Sequence, residues 1–439
     1  MSSSQTDKIR VLVIGSGGRE HAIAWSLSKS TKVDQVICAP GNGGTAHKSD
    51  KITNCDPKID VADFEGLLEV ARLHQVNLVI PCSDMSLILG AVDFFRAHNF
   101  RVFGPSKESA NIEGSKAWAK SFMDRHKIPT AKYQSFSTAS AAICYLQSQP
   151  EGKYVVKASG PAAGKGVFLS ETKSEAEDAV RSIMVERAFG DAGKEVVIEE
   201  YLVGRELSVT FITDGSTWKL FPVGQDAQRI YDGNSGPNTG GMGVCIPLNF
   251  FSHKEIQEIR ERILEPTVRG LQSEGKLSHK FVGFICTGVM QTENGPKLLE
   301  YNARFGDPEA QAIFPLLDDT SDLANIMMAC TKGELKDVHL GFLDKAAISL
   351  VLSSSGYPGS YDVGEPIHIG HLPEDTIIFH SGTSWVDNCL VTNGGRVLAI
   401  ACVAHTTEEA IEKAYSGVLQ VSFKGKFYRR DIGQIRSSF

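Results

Sequence analysis

Short apolar runs alternate with stretches of helical periodicity over the first quarter of the chain. Residues 9–14 (Ile-Arg-Val-Leu-Val-Ile) form the first run and residues 77–80 a later one, with amphipathic stretches near 61–74 and 86–98. Strands that alternate with helices at this spacing are typical of a parallel sheet covered on both faces. We therefore predict a doubly wound α/β domain over residues 1–110.

The hydrophobic pattern changes twice more along the chain. Residues 111–330 mix strands, helices and glycine-rich loops, whereas residues 331–439 carry apolar runs at 346–352 and 396–403 and a helical stretch at 407–419. These changes predict a mixed central domain and a β-rich C-terminal domain.

A glycine turn follows the first predicted strand. It contains Gly15, Gly17 and Gly18 and leads into Arg19. Glycines allow backbone N–H groups to approach an anion at a helix N-terminus, where the helix dipole favours negative charge. Glu20 stands where a dinucleotide-binding turn would have its third glycine, so the phosphate of a small substrate is favoured over NAD. We assign the three glycines and Arg19 to substrate binding.

The central region begins with a strand and a flexible loop. The strand at 154–158 contains Lys157, and the loop contains Gly164, Lys165 and Gly166. The loop is not a Walker A loop, because no hydroxyl residue follows its lysine. We predict that the loop closes on the phosphates of a nucleotide; the alternative is a mobile surface loop with two solvated lysines.

A strand, a short hinge and a second strand follow in the sequence. Backbone groups of Tyr201 and Leu202 in the hinge could bind an adenine edge, while Glu199 or Glu200 accepts from its amino group. Glu206 could accept from ribose hydroxyls. A plain hairpin with exposed acidic residues would give the same pattern, so both interpretations stay open here.

Residues 232–243 contain five glycines in twelve residues. Such a composition excludes a regular helix or a central strand, so the loop is either disordered or wrapped around a ligand. Polar residues beside the glycines favour the second interpretation. The candidate substrate-binding residues in this loop are Asn238, Thr239, Gly240 and Gly241.

Residues 297–309 begin as a strand and end at a Gly-Asp-Pro break. Because strand side chains alternate, Glu300, Asn302 and Arg304 should share one face, with the residues between them in a core. A carboxylate and an amide oxygen suit Mg²⁺ that bridges phosphates, and an arginine suits an anion. The alternative is a solvent-facing strand with one Glu–Arg pair. A hairpin with residues 281–290 predicts that this strand lies in the middle of its sheet.

The bulk composition limits the classes of partner. The chain has 439 residues, 22% of them charged, and a net charge of −7. No strongly basic block is present, so we expect no nucleic-acid partner. The nine cysteines lack zinc or redox spacing, which is typical of a reducing compartment. The N-terminus lacks the apolar core of a signal peptide, and no apolar run approaches the length of a membrane span. We expect a cytoplasmic monomer without a membrane partner.

Eight short segments carry motifs from the N-terminus almost to the C-terminus. They are Gly15–His21, Gly114–Lys116, Val156–Lys157, Ala162–Gly166, Gly236–Gly243, Glu300–Glu309, Gly356–Gly359 and Arg429–Gly433. In this order they resemble the motifs of ATP-grasp ligases, and specifically those of the glycinamide ribonucleotide synthetase family. The ordered set makes the resemblance specific, although any one motif alone would be weak.

The resemblance implies a fold and a reaction. The fold is a multidomain α/β and α+β protein whose residues 111–330 form an ATP-grasp domain, with a small mobile lid lobe near 128–192. The reaction joins glycine to 5-phosphoribosylamine through a glycyl phosphate and gives glycinamide ribonucleotide, ADP and phosphate, a step of de novo purine biosynthesis. Such chemistry needs no nucleophilic side chain, and the sequence shows no Ser–His or Cys–His constellation.

The resemblance also implies roles for individual residues. Lys116 and Lys157 would neutralise the phosphates of ATP, and Mg²⁺ or Mn²⁺ would bind to Glu300 and Asn302. Two further residues, Arg304 and Asp226, are the candidates for holding the reacting glycine and the ribose phosphate, with Asp226 nearest to the amine.

Three places depart from the usual pattern of the family. Asp84 stands where a glutamate is common, Ser159 replaces an aspartate, and Ala227 and Gln228 interrupt a polar motif. We keep Asp84 as a substrate-binding candidate, because a shorter carboxylate still accepts hydrogen bonds. The alternatives to the ligase are another ATP-grasp ligase or carboxylase and a non-catalytic nucleotide-binding module.

Overall fold

The computed structural model describes residues 8–46, 50–162, 164–248, 251–274 and 280–434. The first seven residues, considered above for a signal peptide, and residue 163 of the predicted loop motif lie outside these ranges. Within the described ranges, no helix is both long enough and apolar enough to cross a membrane.

A four-stranded parallel sheet forms the N-terminal region. Its elements are β1 (Ile9–Gly15), α1 (Gly18–Ser28), β2 (Val33–Pro40), β3 (Ile52–Asn54), α2 (Phe64–Leu73), β4 (Leu78–Pro81), α3 (Asp84–Leu89), α4 (Ala91–Ala97) and α5 (Lys107–Gly114). The strand order is β3-β2-β1-β4. Val11 and Val13 of β1 pack into one hydrophobic cluster, whereas Leu12 and Ile14 pack into another on the opposite face. The sheet is therefore buried on both faces, as a doubly wound sheet requires.

The stretch near 86–98, predicted as one helix, is divided into α3 and α4. Gly90 separates them with a φ of 99° in the left-handed region. A glycine adopts this conformation without the steric cost that a Cβ would impose, so it ends α3 and turns the chain into α4.

A small antiparallel sheet with its own hydrophobic core follows in the chain. Its elements, after α6 (Lys116–Arg125), are β5 (Tyr133–Phe136), α7 (Ala139–Ser148), β6 (Tyr154–Ala158), β7 (Val167–Ser170), α8 (Lys173–Val180) and β8 (Val196–Glu200). The strand order is β5-β8-β6-β7. Val156 and Ile198 of the sheet pack against Leu146 and Val180 of the two helices. This lobe covers the region predicted as a lid.

The central region contains a second antiparallel sheet. Its elements are β9 (Arg205–Thr213), β10 (Trp218–Leu220), β11 (Gln225–Asp226), β12 (Arg229–Tyr231), β13 (Ser235–Asn238), β14 (Gly243–Ile246), α9 (His253–Ile259), α10 (Glu265–Glu274), β15 (Gly283–Thr292), β16 (Gly295–Asn302), α11 (Glu309–Ile313) and α12 (Leu323–Lys332). The sheet order is β10-β9-β15-β16. The prediction that residues 297–302 lie mid-sheet is therefore wrong. They form an edge strand. On the outer side of this strand, Leu298 forms an isolated bridge with Thr130.

A register shift interrupts the pairing of β15 with β16. Gly288 pairs with Glu300 and Val289 pairs with Leu298, so Leu299 is the extra residue of a bulge. Tyr301 and Ala303 are buried in the core as the alternation predicts, but Leu299 lines the cleft described below. Because of the bulge, Leu299 faces the cleft and not the core, whereas Glu300 and Asn302 stay on one face of the strand.

A six-stranded sheet combines the central and C-terminal regions. The C-terminal elements are β17 (Ala346–Ser354), β18 (His368–Ile369), β19 (Thr376–His380), β20 (Thr383–Val386), β21 (Cys389–Thr392), β22 (Arg396–Ala404), α13 (Thr407–Leu419), β23 (Val421–Ser422) and β24 (Lys426–Phe427). The strand order is β11-β14-β17-β22-β19, with β24 also on β17. Two strands of the central region are thus hydrogen-bonded into the C-terminal sheet. The predicted domain boundaries near residues 110 and 330 stay predictions.

Candidate active site

A cleft of about 500 Å³ lies where the N-terminal domain, the small lobe, β16 and the C-terminal sheet meet. Most of the predicted site residues line it. They are Arg19, Asp84, Lys116, Lys157, Gly164, Gly166, Glu199, Glu200, Tyr201, Leu202, Glu206, Asp226, Asn238, Thr239, Gly240, Glu300, Asn302 and Arg304. The predicted residues Gly15, Gly17, Gly18, Lys165 and Gly241 are not among the residues that line it.

The glycine turn before α1 encloses an internal carboxylate. The backbone N–H of Gly17 donates to Glu20 Oε2 at 2.7 Å, and a Cβ on Gly15 would lie 2.6 Å from Glu20 Cγ. The position predicted for a substrate anion is thus occupied by Glu20, which benefits from the N-terminal end of the helix dipole. Arg19 donates through Nη2 to Glu20 Oε1 at 2.7 Å and also lines the cleft.

Three buried charges lie at the side of the cleft formed by α6 and the small lobe. Glu199 Oε1 lies 2.9 Å from Lys157 Nζ, and Glu199 Oε2 lies 3.0 Å from Lys120 Nζ. Against the opposing effect of burial, the two ammonium groups lower the pKa of Glu199. Burial lowers the pKa of Lys120 to about 8. Glu199 therefore holds two lysines in this structure, whereas the sequence indicated an adenine contact for it or Glu200.

Lys120 was missed in the sequence, although a signal for it exists. Lys116 and Lys120 lie four residues apart on α6, a spacing that places both side chains on one helix face. Burial lowers the pKa of Lys116, while nearby Glu300 opposes this effect. An ammonium group whose pKa is lowered by burial gains from a phosphate that comes close to it, because the negative charge favours its protonated form.

Replacing Glu199 by glutamine should lower the free energy of unfolding by about 3–5 kcal/mol at neutral pH, because it leaves two ammonium groups buried without their counter-charge. The pKa of Glu199 is lowered, so its contribution is present above the ordinary carboxyl pKa and is lost as the pH falls through the lowered value. Urea unfolding measures the effect. The neighbouring Glu200→Gln is the control, since its partner Lys297 is 25% exposed and the loss should stay below about 1 kcal/mol. Equal losses in the two variants would contradict the assignment.

The hinge after β8 lines the cleft through Tyr201 and Leu202. Glu200, which precedes it, accepts from the backbone N–H of Lys132 at 2.8 Å and from Lys297 Nζ at 3.1 Å. Burial together with Glu300 raises the pKa of Glu206 to about 7. The hinge and the partly buried Glu206 thus line the same cleft, and their assignment to the nucleotide stays a prediction.

Arg304 is held by three acceptor side chains at the opposite end of the cleft. Its Nε lies 2.5 Å from Asp84 Oδ1, and its Nη2 lies 3.1 Å from Glu113 Oε1 and donates to Asn302 Oδ1 at 3.1 Å. Burial raises the pKa of Asp84, but Arg304 and Arg19 outweigh it and bring this pKa down to about 2. Burial raises the pKa of Glu113 to about 7. The guanidinium is therefore fixed in orientation, with Asp84 and Glu113 as its counter-charges.

Asp226 lies deep in the cleft beside a second arginine. Burial, with Glu309 and Glu206 adding to it, raises the pKa of Asp226 well above its ordinary value. Its Oδ1 is buried and lacks a hydrogen-bond partner among the described residues. Arg396 donates to the carbonyl of Asp307 at 2.8 Å and to its Oδ2 at 3.1 Å. The sequence indicated only that Arg396 begins an apolar run, because its contact with Asp307 joins residues 89 positions apart.

The departures from the family pattern lie in different surroundings. Asp84 and Gln228 line the cleft, but Ser159 and Ala227 do not. Ser159 accepts from the backbone N–H of Ala117 at 3.2 Å and donates to Glu195 Oε2 at 3.1 Å. Ala227 is buried in the core of the C-terminal sheet. The serine and the alanine therefore act on local packing rather than on a bound reactant directly.

Glu300 and Asn302 form the candidate metal site. They are two residues apart on β16, and both line the cleft between the lysines and Arg304. Among the described residues there is no group of three or more His, Cys, Asp or Glu side chains that could hold a metal. Two oxygen donors fit Mg²⁺, which keeps several waters and takes further oxygens from phosphates.

The two antiparallel sheets and the cleft between lysines and a carboxylate–amide pair define an ATP-grasp protein. Family models described as the N domain, the ATP-grasp (A) domain and the C domain of phosphoribosylglycinamide synthetase match residues 9–113, 114–310 and 347–435. The chain belongs to the phosphoribosylglycinamide synthetase family. The resemblance seen in the motifs and the predicted fold class are confirmed.

Relatives of known name cover nearly the whole chain. It is 45% identical, over 97% of its length, to a bifunctional purine biosynthetic protein of Schizosaccharomyces pombe, of which the match covers 53%. It is 40% identical to the phosphoribosylamine–glycine ligase of Chlorobaculum tepidum, with 97% and 99% of the two chains covered. The crystal structure of the phosphoribosylamine–glycine ligase of Thermotoga maritima is 34% identical with a TM-score of 0.83, covering 97% and 100% of the two chains. The chain spans about half the length of the first curated relatives it matches.

Proposed function

We propose that the protein is an ATP-dependent phosphoribosylamine–glycine ligase. In this reaction the γ-phosphoryl group of ATP passes to the carboxylate of glycine, and the amine of 5-phosphoribosylamine then attacks the glycyl phosphate. The products are glycinamide ribonucleotide, ADP and phosphate. One observation carries the proposal. Glu300 and Asn302 lie between the buried lysines and Arg304, which three acceptor side chains hold in place. The names of full-length relatives support it.

The proposed roles divide the cleft into two ends. At the nucleotide end, Lys116 and Lys157 neutralise phosphates, and the hinge at Tyr201 binds the adenine edge. Mg²⁺ or Mn²⁺ at Glu300 and Asn302 would supply charge neutralisation for the phosphoryl group in transfer. The glycine-rich loop near Gly164 and Gly166 covers the phosphates, and Lys165 approaches them only when this loop closes.

The substrate end is assigned to Arg304, Asp226 and the loop at Asn238–Gly241. Arg304 would orient the reacting carboxylate, since it is a fixed donor of two or more hydrogen bonds. Asp226 would bind the ammonium group of glycine. Its raised pKa and unpartnered Oδ1 support this role, because a cation would supply the missing counter-charge. Glycine and 5-phosphoribosylamine are the proposed partners of a monomeric protein, and its nine free thiols support a cytoplasmic location.

Phosphate release from ATP should require both glycine and 5-phosphoribosylamine, because the acyl phosphate is consumed only when the amine attacks it. A coupled assay for phosphate and ADP, with each reactant omitted in turn, measures this dependence. Glu300→Gln serves as the control for contaminating ATPase activity. Release driven equally well by bicarbonate would favour a carboxylase, and ATP binding without turnover on any amine or acid would favour a non-catalytic module. Either result would overturn the proposal.

A further inference from the structure

Two side chains of the C-terminal region bind both backbone polar groups of one residue, Gly240, at the edge of the cleft. The backbone N–H of Gly240 donates to Tyr357 Oη at 3.1 Å, and its carbonyl accepts from Arg396 Nη1 at 2.6 Å. A Cβ on Gly240 would lie 3.0 Å from Arg396 Cζ, so the guanidinium is in contact with the backbone itself. The backbone at Gly240 is therefore fixed from the C-terminal side.

The same stretch is in contact with the loop of the small lobe. Gly164 has a φ of 76°, and a Cβ built on it would lie 2.9 Å from the carbonyl oxygen of Thr239 and 3.6 Å from Gly240 Cα. Lys165 Nζ lies 6.0 Å from the centre of the Tyr357 ring. The loop that was predicted to close on phosphates thus packs directly against the backbone that Tyr357 and Arg396 hold.

Further contacts prevent the loop from displacing the backbone at Gly240. Thr239 donates through its backbone N–H and its Oγ1 to the carbonyl of Gln228, both at 2.8 Å. Arg396 links this backbone to Asp307, immediately after the strand that carries the candidate metal site. A displacement of Gly240 would therefore change contacts of the small lobe and also contacts at the end of β16, next to the candidate metal site.

We infer that Tyr357 and Arg396 are positioning residues that fix the backbone at Gly240, next to Thr239, as the surface on which the small lobe closes. The inference rests on the proposed function. Its consequence is exclusion of water, which otherwise reacts with glycyl phosphate to give glycine, inorganic phosphate and a proton. In that side reaction the carboxyl–phosphate bond breaks, and the water oxygen takes the place of the attacking amine nitrogen.

The readout is the number of phosphates released per glycinamide ribonucleotide formed, with ATP, glycine and 5-phosphoribosylamine all present. Tyr357→Phe should raise this ratio about fivefold, the effect expected for one lost hydrogen bond. Arg396→Lys keeps the charge but loses the forked contact with Gly240 and Asp307, so it should raise the ratio at least as much. The matched control is Tyr361→Phe, whose ring centre lies 6.3 Å from that of Tyr357; its ratio should equal that of the parent.

A double variant tests whether the Gly164 loop and the Tyr357 side chain act through the same contact at Gly240. Gly164→Ala places a methyl group against Thr239 and should raise the ratio by itself, and combining it with Tyr357→Phe should give less than the product of the two effects. Multiplicative effects, or a fall in both products at an unchanged ratio, would overturn the inference. Because the ratio requires a parent that makes the amide, a parent without glycine-dependent turnover would instead refute the proposed function.

Discussion

Replacing Glu300 by glutamine should lower turnover by about a hundredfold or more, because one carboxylate supplies the charged oxygen of the candidate metal site. Glutamine preserves the size of the side chain, and Glu300 lies only partly buried on an edge strand. The free energy of unfolding should therefore change by less than about 1 kcal/mol. Steady-state rates over a range of magnesium concentrations, with urea unfolding beside them, measure both quantities.

Glu293→Gln is the matched control for this variant. Glu293 lies at the exposed turn that joins β15 to β16, so the same hairpin loses the same charge away from the cleft. We expect parent-like rates and parent-like magnesium dependence. Normal turnover of Glu300→Gln at every magnesium concentration would refute the metal assignment.

Replacing Arg304 by methionine should lower the free energy of unfolding by about 3 kcal/mol at pH 8, since Glu113, whose side chain is 12% exposed, then lacks its guanidinium. The Asp84 side chain is 34% exposed and keeps Arg19 as a partner, so it adds less to the loss. Turnover should fall as well, because the fixed donor at the substrate end is lost. The stability loss should shrink toward pH 5. Arg304 lowers the pKa of both carboxyl groups, so its removal raises both values and allows the variant to take up protons as the pH falls.

In the parent, the contribution of Asp84 to the free energy of unfolding has the opposite pH dependence. With a pKa of about 2, this carboxylate stabilises the parent fully above its ordinary pKa and loses the contribution only as the pH falls through about 2. Unfolding at pH 5 and pH 8 therefore distinguishes the two proteins. Arg181→Met removes an arginine that is 47% exposed and is the control, with an expected loss below about 1 kcal/mol at both pH values. A deficit of Arg304→Met that grows toward pH 5 would contradict the electrostatic account.

Local patterns in the sequence account for most of the fold. The β1 strand alternates between two hydrophobic clusters, and the glycine turn, the hinge at Tyr201 and the strand carrying Glu300 occur where their local composition predicts. The errors have local physical causes as well. Gly90 divides a predicted helix, and the bulge at Leu299 interrupts the alternation of β16. A sequence does not reveal which strand has no neighbour, so the edge position of β16 was not predicted.

The residues that were missed in the site are those whose partners are distant in the chain. Arg396 meets Asp307 across 89 positions, and Tyr357 meets Gly240 across 117. Glu113 was not singled out in the sequence, because its contact with Arg304 joins residues 191 positions apart. Tyr357 lies within the motif Gly356–Gly359, but no neighbouring residue in the sequence indicates a role for it, and the same holds for Arg396. The Glu20 carboxylate shows the reverse case, in which a glycine turn typical of anion binding encloses a group of its own chain.

The pairing of β11 and β14 with the C-terminal sheet has a consequence for how this family can be divided and recombined. Consider a chain divided after residue 310 and before residue 347, between the ATP-grasp and C-terminal family ranges. The division would fall between two family ranges in the sequence, but it would separate paired strands of one continuous sheet. The longer, N-terminal fragment would expose the β14 edge and the hydrophobic side chains Val244 and Ile246. The C-terminal region is therefore not an exchangeable module, and substitution of one family member's C-terminal region for another's must preserve the complementary edge at β17.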